Sequence, residues 1–539
     1  MNYARHLTAT PQSERADERQ VQNSAGGFTF EVTPWQRLDR WLILGCEGGT
    51  YYASERKLAV ENAKAIRECL ALDGPKTVAR IAEISEAGRA PENDPAIFAL
   101  ALAASDANQK TRAAALAAIP RVCRIGTHLF QFAESVNSLR GWGRGLRRAI
   151  GAWYESKSVE DLCYQVAKYE QRNGWSHRDL LRLAHPEPGP SKAAIYRYLV
   201  GAPCIEDREV KRGERSVTYP AVPDLPEYLA AFSSLKHADL KQAIQLVRDY
   251  RFTHEMVPSE HKNSPEMWEA LLESMPMTAM IRNLAKMTQV GLLKPLSADV
   301  QIIRDRLGNE QRIHKARVHP IAMLSALKVY QHGHGERGKL TWTPVQQIID
   351  ALDGAFYLSF GSVEPSGKRT LLGLDVSRSM ECGTIAGVPG LTPQLASAAM
   401  AMVVARTEPQ WHMVGFSENM VDVPITPRMR LDEAIRAMRA IPFGGTDCAL
   451  PMLYAAGNKI DVDTFQIYTD NETWFGSIHP HQALKAYRSK SGIGARLAVV
   501  ACTATNFTIA DPSDPGQLDV CGFDTATPNV LSSFSKGEF

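Results

Sequence analysis

The sequence predicts two fold classes in one chain: stacked α-helices up to about residue 364, and a doubly wound, Rossmann-like α/β domain beyond it. Three observations carry this reading. From Phe28 to Tyr357 apolar residues recur at helical spacing behind capping signals, and strand-like alternation is scarce. After Glu364-Pro365-Ser366-Gly367, short apolar strands alternate with helices. The segment Asp375-Val376-Ser377-Arg378-Ser379 then directly follows the buried-strand pattern Leu371-Leu372-Gly373-Leu374.

Taken in order, residues 1–26 are polar and mixed in charge, and read as a loose N-terminal arm rather than a signal peptide. The helical region spans 27–364. Asn93-Asp94-Pro95 supplies a cap and a first-turn proline ahead of the apolar run to Leu102. Gln109–Ile119, Leu146–Tyr154, Lys236–Tyr250 and Ala316–Tyr330 are further helices. Thr343-Pro344-Val345-Gln346 reads as a capping box, behind which Val345, Ile348, Ile349, Leu352 and Phe356 share one face. Helices joined by short Gly, Pro or Asn breaks suggest pairs stacked as in HEAT or armadillo repeats. No crisp period is visible, so one large irregular helical domain is the alternative. In residues 365–539 the runs Leu371–Val376, Leu395–Val404, Trp411–Phe416, Leu431–Ala440, Phe465–Tyr468 and Leu497–Cys502 alternate as strand and helix. That spacing argues a parallel sheet, whose ligands sit beyond the carboxyl ends of its strands.

Composition bounds the function. Hydrophobic content of 44% and charged content of 22% are ordinary for a soluble globular protein, and no apolar run reaches membrane-spanning length. The nine cysteines are scattered and lack any Cys-x-x-Cys, so reduced cytoplasmic thiols are expected, not a disulfide framework or a zinc site. The net charge of +2 is split: residues 361–539 carry −4 and the remainder +6. A basic excess in the helical part permits an anionic partner there.

In extended backbone alternate side chains point the same way, so Asp375, Ser377 and Ser379 face one point beyond a strand's end. Gly444-Gly445-Thr446-Asp447 and Ile467-Tyr468-Thr469-Asp470 offer Thr446 and Asp470 from neighbouring loops. Two carboxylates and three hydroxyls form a hard donor set suited to Mg²⁺, with Mn²⁺ the second candidate. A lone Asp-x-Ser-x-Ser arises by chance; the preceding strand and the ordered partners raise it to a site. It resembles the metal-ion-dependent adhesion site of the von Willebrand factor A domain, with all five ligand positions present.

Two basic stretches stand out in the helical part. Arg121, Arg124, Arg140, Arg144, Arg147 and Arg148 surround Trp142. Lys168 and Arg172, then Arg178 and Arg182, are four apart, with His185 three beyond. If helical, each set lines cations on one face, with Tyr169 or Trp175 able to stack on RNA bases. Such charge runs are more often solvated helix faces. Gly141-Trp142-Gly143-Arg144-Gly145 follows no strand and is no dinucleotide fingerprint. The histidine pairs His332/His334 and His479/His481 lack further ligands.

Lys168–His185, Gly45–Tyr52, Gly333–Lys339 and Gly444–Asp447 resemble the signature segments of the Ro ribonucleoprotein autoantigens, the TROVE-domain proteins, in their bacterial form. The similarity runs in order from about Phe28 to Asp524. It implies a HEAT-like ring, formed by a single chain, closed against a von Willebrand factor A domain. Y RNA lies on its basic outer surface, and single-stranded 3′ ends of misfolded noncoding RNA enter its hole. The resemblance puts Y-RNA contacts on Lys168, Arg172 and His185, and metal ligands on Asp375, Ser377, Ser379, Thr446 and Asp470. Arg144, Arg147, Arg178 and Arg182 are added as RNA-binding candidates. Glu170 departs from the family, which carries lysine there. The implied role is noncoding-RNA quality control, processing or decay and stress response, without catalysis, possible partners including a 3′-to-5′ exoribonuclease. The alternatives are a metal-dependent protein-interaction scaffold and a metal-dependent nuclease; the latter needs more bridging carboxylates than two. No Gly-x-x-x-x-Gly-Lys-[Ser/Thr] accompanies the site.

Overall fold

The computed structural model describes residues 9–538 except 46–54, 203–207, 213–214, 220–221, 223, 336–338, 361–362, 384, 386–390, 424, 442–443 and 525; side chains at 55–60, 208–219, 432, 435 and 439 are also outside the description. The Gly45–Tyr52 motif beyond Gly45, and residues 336–338 of the Gly333–Lys339 motif, lie outside the described residues.

The loose arm expected over residues 1–26 is, from residue 9 onward, part of the folded chain. Gln20–Gln22 (β1) and Phe28–Glu31 (β2) pair antiparallel, and Gln12 and Asn23 are buried. The first helix, Pro34–Leu44, starts at a Thr33/Gln36 capping box. The long helix Glu55–Ala87 kinks where Asp73 leaves helical geometry ahead of Gly74 and Pro75. A Cβ on Gly74 would fall 1.9 Å from Thr111 Oγ1, so helix Gln109–Ala117 packs closely against the kink.

Helix bounds follow the apolar spacing to within a few residues: Asp94–Ala104, Gln109–Ala117 and Arg144–Glu155. Lys236–Tyr250 starts late, at Leu240, because Asp239 builds a capping box with Gln242. Ala316–Tyr330 becomes Pro320–His332, capped by His319. The expected capping box at Thr343 does not form. The Val345 N–H donates to Tyr330 Oη at 3.4 Å, and the helix begins only at Gln346. Two short hairpins interrupt the helices: Gln171–Arg172 (β3) with Trp175–Ser176 (β4), and Arg208–Arg212 (β5) with Arg215–Tyr219 (β6).

The α/β domain holds Thr370–Asp375 (β7), Trp411–Phe416 (β8), Met420–Val421 (β9), Thr464–Thr469 (β10), Arg496–Ala501 (β11), Phe507–Thr508 (β12) and Gln517–Cys521 (β13). Its sheet runs β13-β11-β10-β7-β8-β9, parallel except for the β9 edge. Helices Pro393–Thr407, Leu450–Asn458 and Pro480–Ser491 pack around it. The central strands β7 and β10 are buried along their whole length, as continuous apolar runs in parallel sheets require. β12 pairs instead with β2, tying the N-terminal segment to this domain.

The helical part closes on itself and on the α/β domain. Arg40, 1% exposed, clamps Asp519 at 2.6 Å and the Phe507 carbonyl at 2.9 Å. Arg89 pairs with Asp524 at 3.1 Å, while its carbonyl meets His319 Nε2 at 3.1 Å, joining the early and late helices. From the late helix Gln346–Leu358, Asp350 pairs with Arg430 at 2.6 Å and Tyr357 stacks under Arg406. First and last helices of the helical part thus meet over one domain and close a ring. Among the described residues no cysteine is in a disulfide, and no helix is long and apolar enough to cross a membrane.

Candidate metal centre and nucleic-acid interface

β7 ends on Asp375 and its neighbour β10 leads into Asp470, so adjacent strands deliver two carboxylates side by side at the carboxyl edge of the sheet. The Asp375 carboxylate accepts from Ser377 N–H at 2.9 Å and Thr469 Oγ1 at 2.6 Å. Ser377 Oγ and Ser379 Oγ are 2.9 Å apart, and Asp470 Oδ1 accepts from Glu472 N–H at 3.0 Å. Thr446, on the loop before helix Leu450–Asn458, accepts from Trp474 and Phe475 N–H at 3.0 and 3.1 Å. All five side chains are at most 3% exposed.

Burial pushes Asp375 up to about 7, reinforced by the Asp470 charge, and burial also raises Asp470. Glu472, close by, is pushed up to about 8 by burial and by Asp470. Among the described residues Thr446 Oγ1, Asp470 Oδ2 and Glu472 Oε1 are buried without a hydrogen-bond partner. Unpartnered oxygens and mutually repelling carboxylates are what a small hard cation relieves. The donor set therefore fits Mg²⁺, which Asp375, Ser377, Ser379, Thr446 and Asp470 would hold. Among the described residues no group of three or more His, Cys, Asp or Glu side chains has metal-holding geometry, so hydroxyls complete this set.

The RNA candidates fall on four elements: helices Arg144–Glu155, Val159–Lys168 and His177–Ala184, and β3. In helix Arg144–Glu155, Leu146, Ile150, Trp153 and Tyr154 fill the core face, leaving Arg144, Arg147 and Arg148 exposed. Helix His177–Ala184 starts at a Ser176/Asp179 capping box, buries His177, Leu180 and Leu181, and presents Arg178 and Arg182 to solvent. His185 ends it, exposed and left-handed at φ 48. His177 is a core residue: its Nδ1 meets Tyr154 Oη at 2.7 Å, and burial holds it down at about 4.

Lys168 and Arg172 do not share a helical face. The helix Val159–Lys168 stops, and Asn173 (φ 52) and Gly174 (φ 78) turn the chain into the β3–β4 hairpin. Arg172 is exposed near the hairpin tip. The Lys168 side chain, 13% exposed, is held by Tyr164 Oη at 3.0 Å and Glu255 at 3.6 Å, contrary to the exposure its sequence context suggests. Trp175 packs tilted against Trp142, ring centroids 5.7 Å apart, and donates to Glu134, so it is anchored rather than free. Glu170 pairs with Lys236.

One feature of the ring went unread in the sequence. Arg172, Arg124 and Arg282 converge on a cavity of about 480 Å³ with His128 and Gln131. Arg172 reaches it from β3, Arg124 from the loop before helix Gly126–Leu139 and Arg282 from helix Met277–Gln289; Arg144 and Arg147 are not among its lining residues.

The sequence matches the TROVE domain over residues 21–224 and 242–328, and the Ro60 vWA domain over 369–535. The RNA-binding protein RO60 of Deinococcus radiodurans is 43% identical, across 98% of this chain and 97% of that protein. The RNA-binding protein RO60 of Caenorhabditis elegans is 36% identical, across 98% and 92%. The crystal structure of the Deinococcus radiodurans RO (RSR) protein superimposes with a TM-score of 0.69 at 40% identity, covering 94% of this chain and all of that one.

Proposed function

This chain belongs to the Ro60 family, and on that premise we propose that it binds noncoding RNA in the cytoplasm without a catalytic step of its own. Y RNA lies on the face of Arg172, Arg178, Arg182 and His185, and the single-stranded 3′ end of a misfolded RNA enters the cavity lined by Arg124, Arg172 and Arg282. Its role is noncoding-RNA quality control, processing or decay, with an exoribonuclease as partner. A divalent cation, Mg²⁺ or Mn²⁺, occupies the carboxylate site.

The observation that carries this is a contrast in how arginine is used. Arg40, Arg80, Arg89, Arg369 and Arg488 each pair with a carboxylate. Arg144, Arg147, Arg148, Arg172, Arg178 and Arg182 are exposed, and no ion pair involves them among the described residues. Exposed fork donors without partners suit phosphate. A second reading, docking of an acidic partner side chain at the metal edge, draws on Phe475, 48% exposed beside the Thr446 loop.

The test is a salt titration of Y-RNA binding. Arg178→Ala with Arg182→Ala weakens binding by about tenfold or more and lowers the salt slope by about two. Unchanged affinity across the titration would reject the face. A structured RNA with a 3′ tail is expected to bind better than its blunt form, the difference shrinking in Arg282→Glu.

A further inference from the structure

The metal-site loops are gripped from behind by the N-terminal segment. Gln12, fully buried, donates through Nε2 to Asp447 Oδ1 at 2.6 Å and to the Ile478 carbonyl at 2.8 Å, and accepts from Thr473 Oγ1. One amide thus joins the residue after Thr446 to the loop that follows Asp470. Thr473 Oγ1 also lies 3.3 Å from the Thr446 carbonyl and accepts from Cys448 N–H at 3.1 Å. Asn23 donates to the Thr473 carbonyl at 2.6 Å. Ala25 N–H donates to Glu472 Oε2 at 3.0 Å, leaving Oε1 buried and unpartnered among the described residues. The fit is close enough that a Cβ on Gly27 would fall 2.0 Å from the Thr473 carbonyl.

We propose that residues 9–31 are a positioning element of the cation site. Through Gln12 they fix the spacing of the loops bearing Thr446 and Asp470, and through Ala25 they orient the Glu472 carboxylate beside it. Glu472 then serves the site through its second oxygen, by way of a cation-bound water, since Mg²⁺ keeps part of its hydration shell. This rests on the divalent-cation reading of the site. Its consequence is linkage: whatever tightens the cation must tighten the docked segment by the same factor.

The experiment uses the full-length protein, with Mn²⁺ as the probe. Calorimetry of Gln12→Ala should give Mn²⁺ affinity lower by about tenfold, the mid-range of such couplings. Hydrogen exchange supplies the reciprocal measurement: Mn²⁺ slows exchange of the amides of residues 12–28 in the wild type but not in Asp375→Asn. That comparison stands even if Gln12→Ala fails to fold. Wild-type protein that binds no Mn²⁺ would overturn the cation reading itself. Protein that binds Mn²⁺ with segment exchange unchanged would overturn the linkage and leave the cation reading intact.

Discussion

The arginine face and the carboxylate edge solve opposite problems with charge. On the helices, Arg178 and Arg182 stand in solvent, where a guanidinium costs nothing to desolvate and a long polyanion is met over many weak contacts. At the sheet edge, Asp375 and Asp470 are fully buried together, and burial disfavours their charged forms. Exposed charge suits a large ligand, and charge withheld from water suits a small one. The two sites also sit on different parts of the chain, so they can be broken separately.

Breaking the metal edge gives the largest effect. Asp375→Ala removes the carboxylate held by Ser377 N–H and Thr469 Oγ1, and Mg²⁺ or Mn²⁺ binding by calorimetry should be lost outright. RNA affinity should stay within about threefold, because the exposed arginines lie on the helical part. RNA affinity falling in parallel with metal binding would show the regions to be one site. Cleavage of RNA by purified wild-type protein with Mn²⁺, lost in this variant, would make the protein a nuclease.

The pH dependence sharpens the same contrast. Without metal, the folded chain holds protons on Asp375 and Glu472 more tightly than the unfolded chain does. Stability from this source is full below the ordinary carboxylate range and is lost as pH rises towards 7 and 8. A cation bound as proposed would replace those protons. The rise in Tm on adding Mg²⁺ should therefore be larger at about pH 8 than at about pH 5.5. A rise that is equal at both would place the cation elsewhere.

How much of this was legible follows the range of the contacts. Asp375, Ser377 and Ser379 could be read because one strand end carries all three, and the apolar runs of β7 and β10 marked that strand and its neighbour. The grip of Gln12 on Asp447 could not, since it spans most of the chain and a polar N-terminus looks the same free or docked. The convergence of Arg124, Arg172 and Arg282 was hidden likewise, because the three come from segments well separated in the sequence. The hairpin was legible and missed. Asn173-Gly174 is the strongest short turn signal, and it outweighs the four-residue spacing of Lys168 and Arg172 that suggested a helix.

That misreading sets the smallest effect, and it divides two cations that look equivalent in the sequence. Arg172 stands exposed at the hairpin, so Arg172→Ala should lower the RNA salt slope by about one. Lys168 is largely buried against Tyr164 and Glu255, so its charge is already answered within the protein. Lys168→Ala should leave the slope within error and instead cost about 1 kcal/mol of stability, read as a lower urea midpoint. The double variant should then bind RNA no more weakly than Arg172→Ala alone. If Lys168→Ala by itself lowers the slope by one, RNA must draw the ammonium away from Glu255. The pairing with Glu255 would then be the resting state of a contact made on binding.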